Sequence, residues 1–436
     1  MVLNSDSSEH FAPKAIRYLL LAYCFFVPFI RLFFFPVVSA KVQPTEIIFL
    51  VLFPLAVYFY GRKLIPTSPM LLGAAGLFLL SNLMSAFSAG ELNPVLEALG
   101  RGYLLTLAIL VAHYIKCSND RDHRAEQLVV AWSVGAILMA VITAIGYVAA
   151  MNGILNRTVV VYENYPYFGT VLRAAGLTGG ANSLVYVCLL PMLYFYRRVR
   201  LGEKGVVWLL LLFSVCLATI SKELVLVFLG FFLVDPWVLA KVKVLRLLAV
   251  IFTALVLWFG THFIVQQPTE ITDNYLEGTF YTSEKILWQN DNLQLLETSY
   301  SALKKAGISV GAKHPVFGVG PGQFNSYLPK EKELGNYPAH LPEYDPHSTW
   351  IGAFSETGLF GLLSLIFLTL ILYRFTASKI SSERWAANTY LLPVGVSILV
   401  VLIASVSLDI VNFRFLWVPI GVLLGLTASE QNPCAA

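Results

Sequence analysis

Histidine is the side chain that exchanges protons most readily near neutral pH, and His347 stands where that property has a use. It follows Pro346 directly and lies about one turn before a long apolar run. Proline disfavours continuation of a preceding helix, which puts His347 at or near a helix N-terminus with Ser348 and Thr349 as capping residues. The positive end of a helix lowers an imidazole pKa and favours the neutral form that a general base needs. The same placement also suits a histidine that only anchors a helix at a membrane interface. Three cations are candidates to work with it. Lys222 sits beside Glu223 at a tight junction between two apolar runs, where it either closes an ion pair with its neighbour or points into a cavity and meets an anion. Arg173 lies in RAAGLTGGAN, as a solvated loop residue or a phosphate ligand, and Arg157 is in the same loop. Arginine grips phosphate with a planar fork and lysine acts as a point charge. A histidine with such cations suits chemistry on a lipid-linked phosphate.

Other motifs frame these residues. HPVFGVGPGQF, His314–Phe324, has the glycines of a phosphate loop but neither a preceding strand nor a GK[ST] ending, and reads as a turn. Gly352, Gly358 and Gly361 follow His347 in one apolar helix, the last two as close-packing positions. Glu356 comes nine residues after His347. At about 100° per residue the two fall on opposite faces, which predicts that Glu356 pairs with another span. Asp120-Arg121-Asp122 reads as a charge-balanced loop rather than a metal-holding DxD, and HExxH and Cys/His metal spacings are absent.

The elements that must position these residues are membrane spans. The chain is 57% hydrophobic and 13% charged with a mean hydropathy of +0.70, against about 25% charged for soluble domains. The net charge of +4 comes from basic residues in short loops, which bears on topology and gives no reason to expect nucleic acid. The five cysteines lack CxxC spacing. The fold class expected is an all-α polytopic membrane protein of about 12 transmembrane helices, at about 15–36, 45–61, 69–89, 98–115, 127–150, 181–196, 205–220, 223–238, 246–265, 349–373, 388–407 and 414–429. Even-numbered gaps hold most of the basic residues, among them Arg62, Arg197, Arg198, Lys241 and Arg374. The positive-inside rule then makes both termini cytoplasmic.

One large outward loop lies between spans 9 and 10, dividing the chain into 1–265 with nine spans, the loop 266–346, and 347–436 with three. The loop carries ten acidic residues, six lysines and no arginine. Leu293, Leu296, Tyr300 and Leu303 recur in it at helical spacing and predict an amphipathic helix.

Together these segments resemble the superfamily of O-antigen ligases and O-antigen polymerases, bacterial membrane glycosyltransferases. HPVFGVGPGQF resembles the family's HP-x-x-G-x-G-x-x-x-F segment, with His314, Gly318 and Gly320 in place. His347-Ser348 followed after nine residues by Gly358-x-x-Gly361, with Glu356 before the first glycine, resembles the ligase signature. RAAGLTGGANSLVYVCLLP resembles the RxxG…N stretch that leads into a span. The likeness covers about residues 170–375.

It implies glycosyl transfer at the periplasmic side of the bacterial inner membrane. The donor would be an undecaprenyl-pyrophosphate-linked glycan. The acceptor would be a lipid A–core sugar for a ligase, or another lipid-linked glycan for a polymerase. No nucleotide sugar, metal or other cofactor is expected. His347 takes the role of base, and Lys222 and Arg173 that of pyrophosphate ligands. The chain departs from the pattern in its cations. The usual Ser-Arg at the short-span hinge is Ser221-Lys222, and the loop arginine falls near Leu296, with Tyr300 at the usual tryptophan position. Lys304, Lys305, Lys313 or Arg157 are the substitutes available. Alternatives from other classes are a small-solute or anion transporter and an inactive relative that scaffolds polysaccharide assembly.

Overall fold

The computed structural model describes residues 6–30, 43–61, 69–154, 158–165, 169–235, 243–266, 282–380 and 390–427. Helices α1 to α5 are Asp6–Phe26, Pro44–Tyr60, Pro69–Ala89, Leu92–Lys116 and Arg121–Met151. A hairpin of β1 (Val160–Tyr165) and β2 (Gly169–Ala174) follows, then α6 to α9, at Ala181–Arg200, Val206–Leu217, Leu224–Val234 and Lys243–His262. Strands β3 to β5 are Phe263–Gln266, Thr282–Gln289 and Gln294–Thr298. They lead into α10 (Ser299–Lys313) and α11 (Phe324–Glu333), and the chain closes with α12 (Thr349–Ile380), α13 (Leu391–Ala404) and α14 (Arg414–Thr427).

A helix lies on each of the twelve apolar runs, because a long apolar segment can satisfy its backbone only within itself once water is excluded. Among the described residues, five helices are long and apolar enough to cross a membrane: Met70–Ala89, Leu92–Lys116, Arg121–Met151, Leu245–His262 and Thr349–Ala377. Shorter apolar helices stand beside them, including α7 and α8. At about 1.5 Å per residue, these two cover little more than half of a roughly 30 Å hydrocarbon core. One buried core runs through the bundle, with Trp132, Leu184, Leu392 and Leu423 in it. A separate small core under α10 and α11 contains Leu303, Val310, Phe324 and Tyr337.

The loop segment differs from the expectation in one element. Residues 294–298 form a strand, and the helix begins only at Ser299. β5 is the centre of an antiparallel sheet in the order β3-β5-β4, with Leu296 opposite both Ile264 and Ile286. β3 continues α9 without a break, so its free edge meets residues 294–297, whose buried Leu296 then serves the sheet. Thr298 marks the change: its side chain accepts from the Ser301 N–H and so caps α10. Tyr300 and Leu303 are on that helix; Leu293 and Leu296 are not.

Helix α10 lies across the start of α12. Gly307 and Gly311 allow the approach, since a Cβ at either would stand 2.6 Å from the Ile351 side chain or 2.5 Å from Phe354.

Candidate functional site

Helix α12 is broken at Gly358, which has φ 65° and ψ −164°. A break inside an apolar helix frees backbone groups that need partners, and the His314–Gly320 turn supplies them. Val319 and Gly320 donate to the carbonyls of Ser355 and Glu356 at 3.1 and 2.8 Å. In return Leu359 donates to Pro315 at 2.8 Å, and Phe360 to Val316 at 3.4 Å. The Ser85 hydroxyl adds a bond to the Glu356 carbonyl at 2.7 Å. The two glycine motifs are therefore halves of one joint. A Cβ on Gly318 would overlap the Glu356 backbone, and one on Gly358 the Val316 carbonyl. The packing role expected of Gly358 becomes close contact with a turn in place of contact between two smooth helices. A Cβ on Gly361 would overlap Thr357, its neighbour across the break. His314 ends α10, its N–H donating to Val310 at 3.1 Å, and its exposed ring stands 5.6 Å from that of Tyr327.

The joint fixes where α12 begins, and so where His347 stands. Ser348 starts the helix through its carbonyl, which accepts from Gly352 at 2.8 Å. Thr349 does not cap its own helix: its hydroxyl donates to the Leu408 carbonyl and accepts from the Ile410 N–H, tying α12 to the 405–410 turn. His347 precedes the helix with φ 48°. Among the described residues the one other non-glycine residue at positive φ is Ile220, two positions before Lys222. Such conformations cost about 1–3 kcal/mol and persist where surrounding structure enforces them, often at functional sites.

His347 is half-buried, its ring edge-on to Tyr300 with centroids 4.4 Å apart. The Lys222 ammonium lies over the same tyrosine ring, 5.1 Å from its centroid. It also donates to the Gly260 carbonyl at 3.2 Å and the Thr261 hydroxyl at 3.1 Å, and it makes no ion pair with Glu223. Lys304 is four residues after Tyr300 and shares its helix face. It is buried, with no carboxylate partner among the described residues. Burial, then the positive charges of Lys222 and Lys304, push the His347 pKa down to about 4. Burial and Lys222 lower Lys304 to about 8, and burial is the first cause that lowers Lys222. Tyr300 thus holds together one imidazole and one ammonium group, and the buried Lys304 ammonium lies near enough for its charge to act on His347.

The remaining candidates fall elsewhere. Arg173 is buried on β2, donating to the Thr219 carbonyl at 2.6 Å and to Asn182 at 3.3 Å. Asn182 also accepts from Ser221 at 2.9 Å, and Ser221 donates to the buried Glu223. Arg173 therefore braces the α7–α8 hinge beneath Lys222, close enough for its charge to lower that lysine's pKa. Lys305 pairs with Glu297, and Lys313 pairs with Glu331 at 2.5 Å. Arg157 lies outside the described residues.

Glu356 faces away from His347 and meets Arg101 of α4 at 2.8 Å. The Arg101 guanidinium also reaches Asn82 of α3 and, at 3.4 Å, Asn412. Sequence reasoning missed Arg101 and the nearby Asp409. The signal was there for Arg101, an ionisable residue near the start of an apolar run, where charge is costly unless it has a partner.

Residues 205–366 match the family model described as O-antigen ligase. The matched segment contains Lys222, Tyr300, Lys304, His347 and Glu356 and excludes Arg173, Arg101 and Asp409. No curated protein matches the chain.

Proposed function

We propose that this chain, whose residues 205–366 match the O-antigen ligase family model, is a member of that superfamily and moves a glycan from undecaprenyl pyrophosphate to an acceptor sugar hydroxyl. The observation that carries the reading is the meeting of His347, Lys222 and Lys304 around Tyr300 inside the family-matched segment.

In this reading the acceptor oxygen attacks the anomeric carbon from the face opposite the pyrophosphate and inverts it. The new carbon–oxygen bond forms as the bond from the anomeric carbon to the phosphate oxygen breaks. The hydroxyl proton goes to His347, and the leaving pyrophosphate takes the electron pair beside Lys222 and Lys304. Charge developing on a leaving group is stabilised best by groups already in place in a dry site. With two lysines, the pyrophosphate is held by point charges in place of arginine forks. Arg173 acts one step back, holding the hinge that carries Lys222. The twelve-span arrangement, the division at 265 and 347, the cytoplasmic termini and an inner-membrane site facing the periplasm are part of the same proposal.

The electrostatics give the reaction an order. A base with a pKa of about 4 is a weak one. A bound pyrophosphate neutralises the two lysines that contribute to the depression, and the imidazole becomes more basic as the donor arrives. The acid limb of kcat/KM, which reports the free enzyme, then lies near pH 4, since His347 serves as base only above its pKa. The acid limb of kcat lies higher. Activity declines again as pH rises through about 8, where Lys304 loses its charge. Lys304→Met should raise the acid limb of kcat/KM, and Lys222→Ala and Lys304→Met should each lower kcat/KM about 10²-fold. Steady-state transfer by purified protein, from a lipid-linked donor between pH 4 and 9, is the measurement. Flat profiles with unchanged rates in both lysine variants would remove the assignment.

A further inference from the structure

The turn that carries His347 borders a second space. A cavity of about 270 Å³ has both neighbours of His347, Pro346 and Ser348, in its wall. Its polar lining includes Glu97, Arg101, Asn325, Asp345, Glu356 and Asp409, four carboxylates against one guanidinium. That guanidinium is engaged by Glu356 at 2.8 Å, by Asn82 and by Asn412, so the lining has no uncommitted cation to offer an anionic ligand. Asp409 accepts from the Val411 N–H at 3.2 Å and from Asn412 at 3.0 Å, which leaves lone pairs on both oxygens. The Asn325 side-chain oxygen is buried and has no hydrogen-bond partner. Among the described residues no three carboxylates, imidazoles or thiols are grouped to hold a metal ion. The lining thus offers hydrogen-bond acceptors and repels anions, the reverse of the lysine side of the same turn.

We propose that this cavity is the subsite for the ring of the acceptor sugar, and that it takes a neutral or amine-bearing sugar and rejects a uronate or phosphorylated one. The inference rests on the function proposed above and deepens it. A ligand rich in hydroxyl donors matches a lining rich in carboxylate acceptors. A volume just under the roughly 300 Å³ where small-molecule pockets begin suits one sugar ring better than an oligosaccharide. Donor and acceptor then approach His347 from opposite sides, sorted by charge. The pyrophosphate goes to the lysines and the polyol to the carboxylates.

Gly352 permits a test that spares the fold. It is a helical residue in the cavity wall, and a Cβ there would meet no heavy atom within 4 Å. Gly352→Leu fills the space while improving helix propensity. Purified full-length protein in detergent is probed by saturation-transfer NMR with glucose, glucosamine and glucuronate; for inorganic pyrophosphate, which has no C–H proton, the binding signal is broadening of its phosphorus resonance. The expected result is signal from glucose and glucosamine but not glucuronate, reduced roughly tenfold or more in Gly352→Leu. Pyrophosphate signal should persist in that variant and fall in Lys222→Ala. In transfer assays Gly352→Leu should raise the acceptor KM and leave the donor KM unchanged. Sugar signals indifferent to Gly352→Leu, or glucuronate bound as well as glucose, would overturn the subsite. Pyrophosphate signals indifferent to Lys222→Ala would instead overturn the donor assignment and leave the sugar result to be judged alone.

Discussion

His347→Ala lowers the rate of glycan transfer by about 10²- to 10⁴-fold, the usual contribution of a positioned proton acceptor, while the protein still folds and inserts. A histidine that only anchors a helix end would not behave so, since its replacement would change stability and leave turnover per folded molecule intact. His347→Gly makes the distinction sharper. The native φ of 48° is expensive for any side chain and free for glycine. His347→Gly should therefore melt at the same temperature as the parent or slightly above it, and still transfer no better than the alanine variant. That pairing of retained stability with lost activity is what a strained catalytic position predicts. The checks are thermal unfolding in detergent and transfer in vitro. Wild-type turnover in either variant would end the role proposed for His347.

Gly358→Ala produces the largest loss of stability expected in this chain. Its φ and ψ of 65° and −164° fall in a region open essentially to glycine alone, and the new methyl would overlap the Val316 carbonyl. Backbone strain of about 1–3 kcal/mol adds to an overpacking cost of about 1–3 kcal/mol. The sum is a large fraction of the stability of an ordinary domain. The variant should unfold at lower temperature and become open to proteolysis between α10 and α12. Gly361→Ala would overlap the Thr357 side chain as far as its Cβ but adds no positive-φ strain, and should be milder. Melting curves and limited proteolysis of the two variants would check the ranking. Equal behaviour would mean that the joint is not under the constraint described.

The apolar helices were legible because apolar runs near 20 residues have few alternatives. His347 was legible from its neighbours, Pro346 before it and the glycines after. The break at Gly358 was hidden, since apolar residues continue on both sides and nothing local marks the missing hydrogen bonds. Only the partner turn, some forty residues earlier, reveals it. The strand at Gln294–Thr298 was hidden for a related reason. Its pairing partner, Phe263–Gln266, is remote in sequence, and one of its leucines, Leu296, happened to fit a helical spacing. Lys304 differs from Lys305 and Lys313 only by helical phase: Tyr300 is one turn back on the same face, while the other two reach Glu297 and Glu331. Arg101 and Asp409 come from the first and last parts of the chain, and no local pattern joins them.

The backbone exchange between the His314–Gly320 turn and the gap in α12 also limits how the loop can move. Four hydrogen bonds run between two stretches that each lack their own partners. Prising them apart leaves seven polar groups bare, the Glu356 carbonyl keeping its bond from Ser85, at a net cost of about 2–6 kcal/mol in total. That edge of the loop therefore serves as a hinge line and not as a gate. In the proposed reaction a long lipid-linked glycan would be admitted past the opposite edge, where α9 runs into the sheet and Lys222 reaches the Gly260 carbonyl.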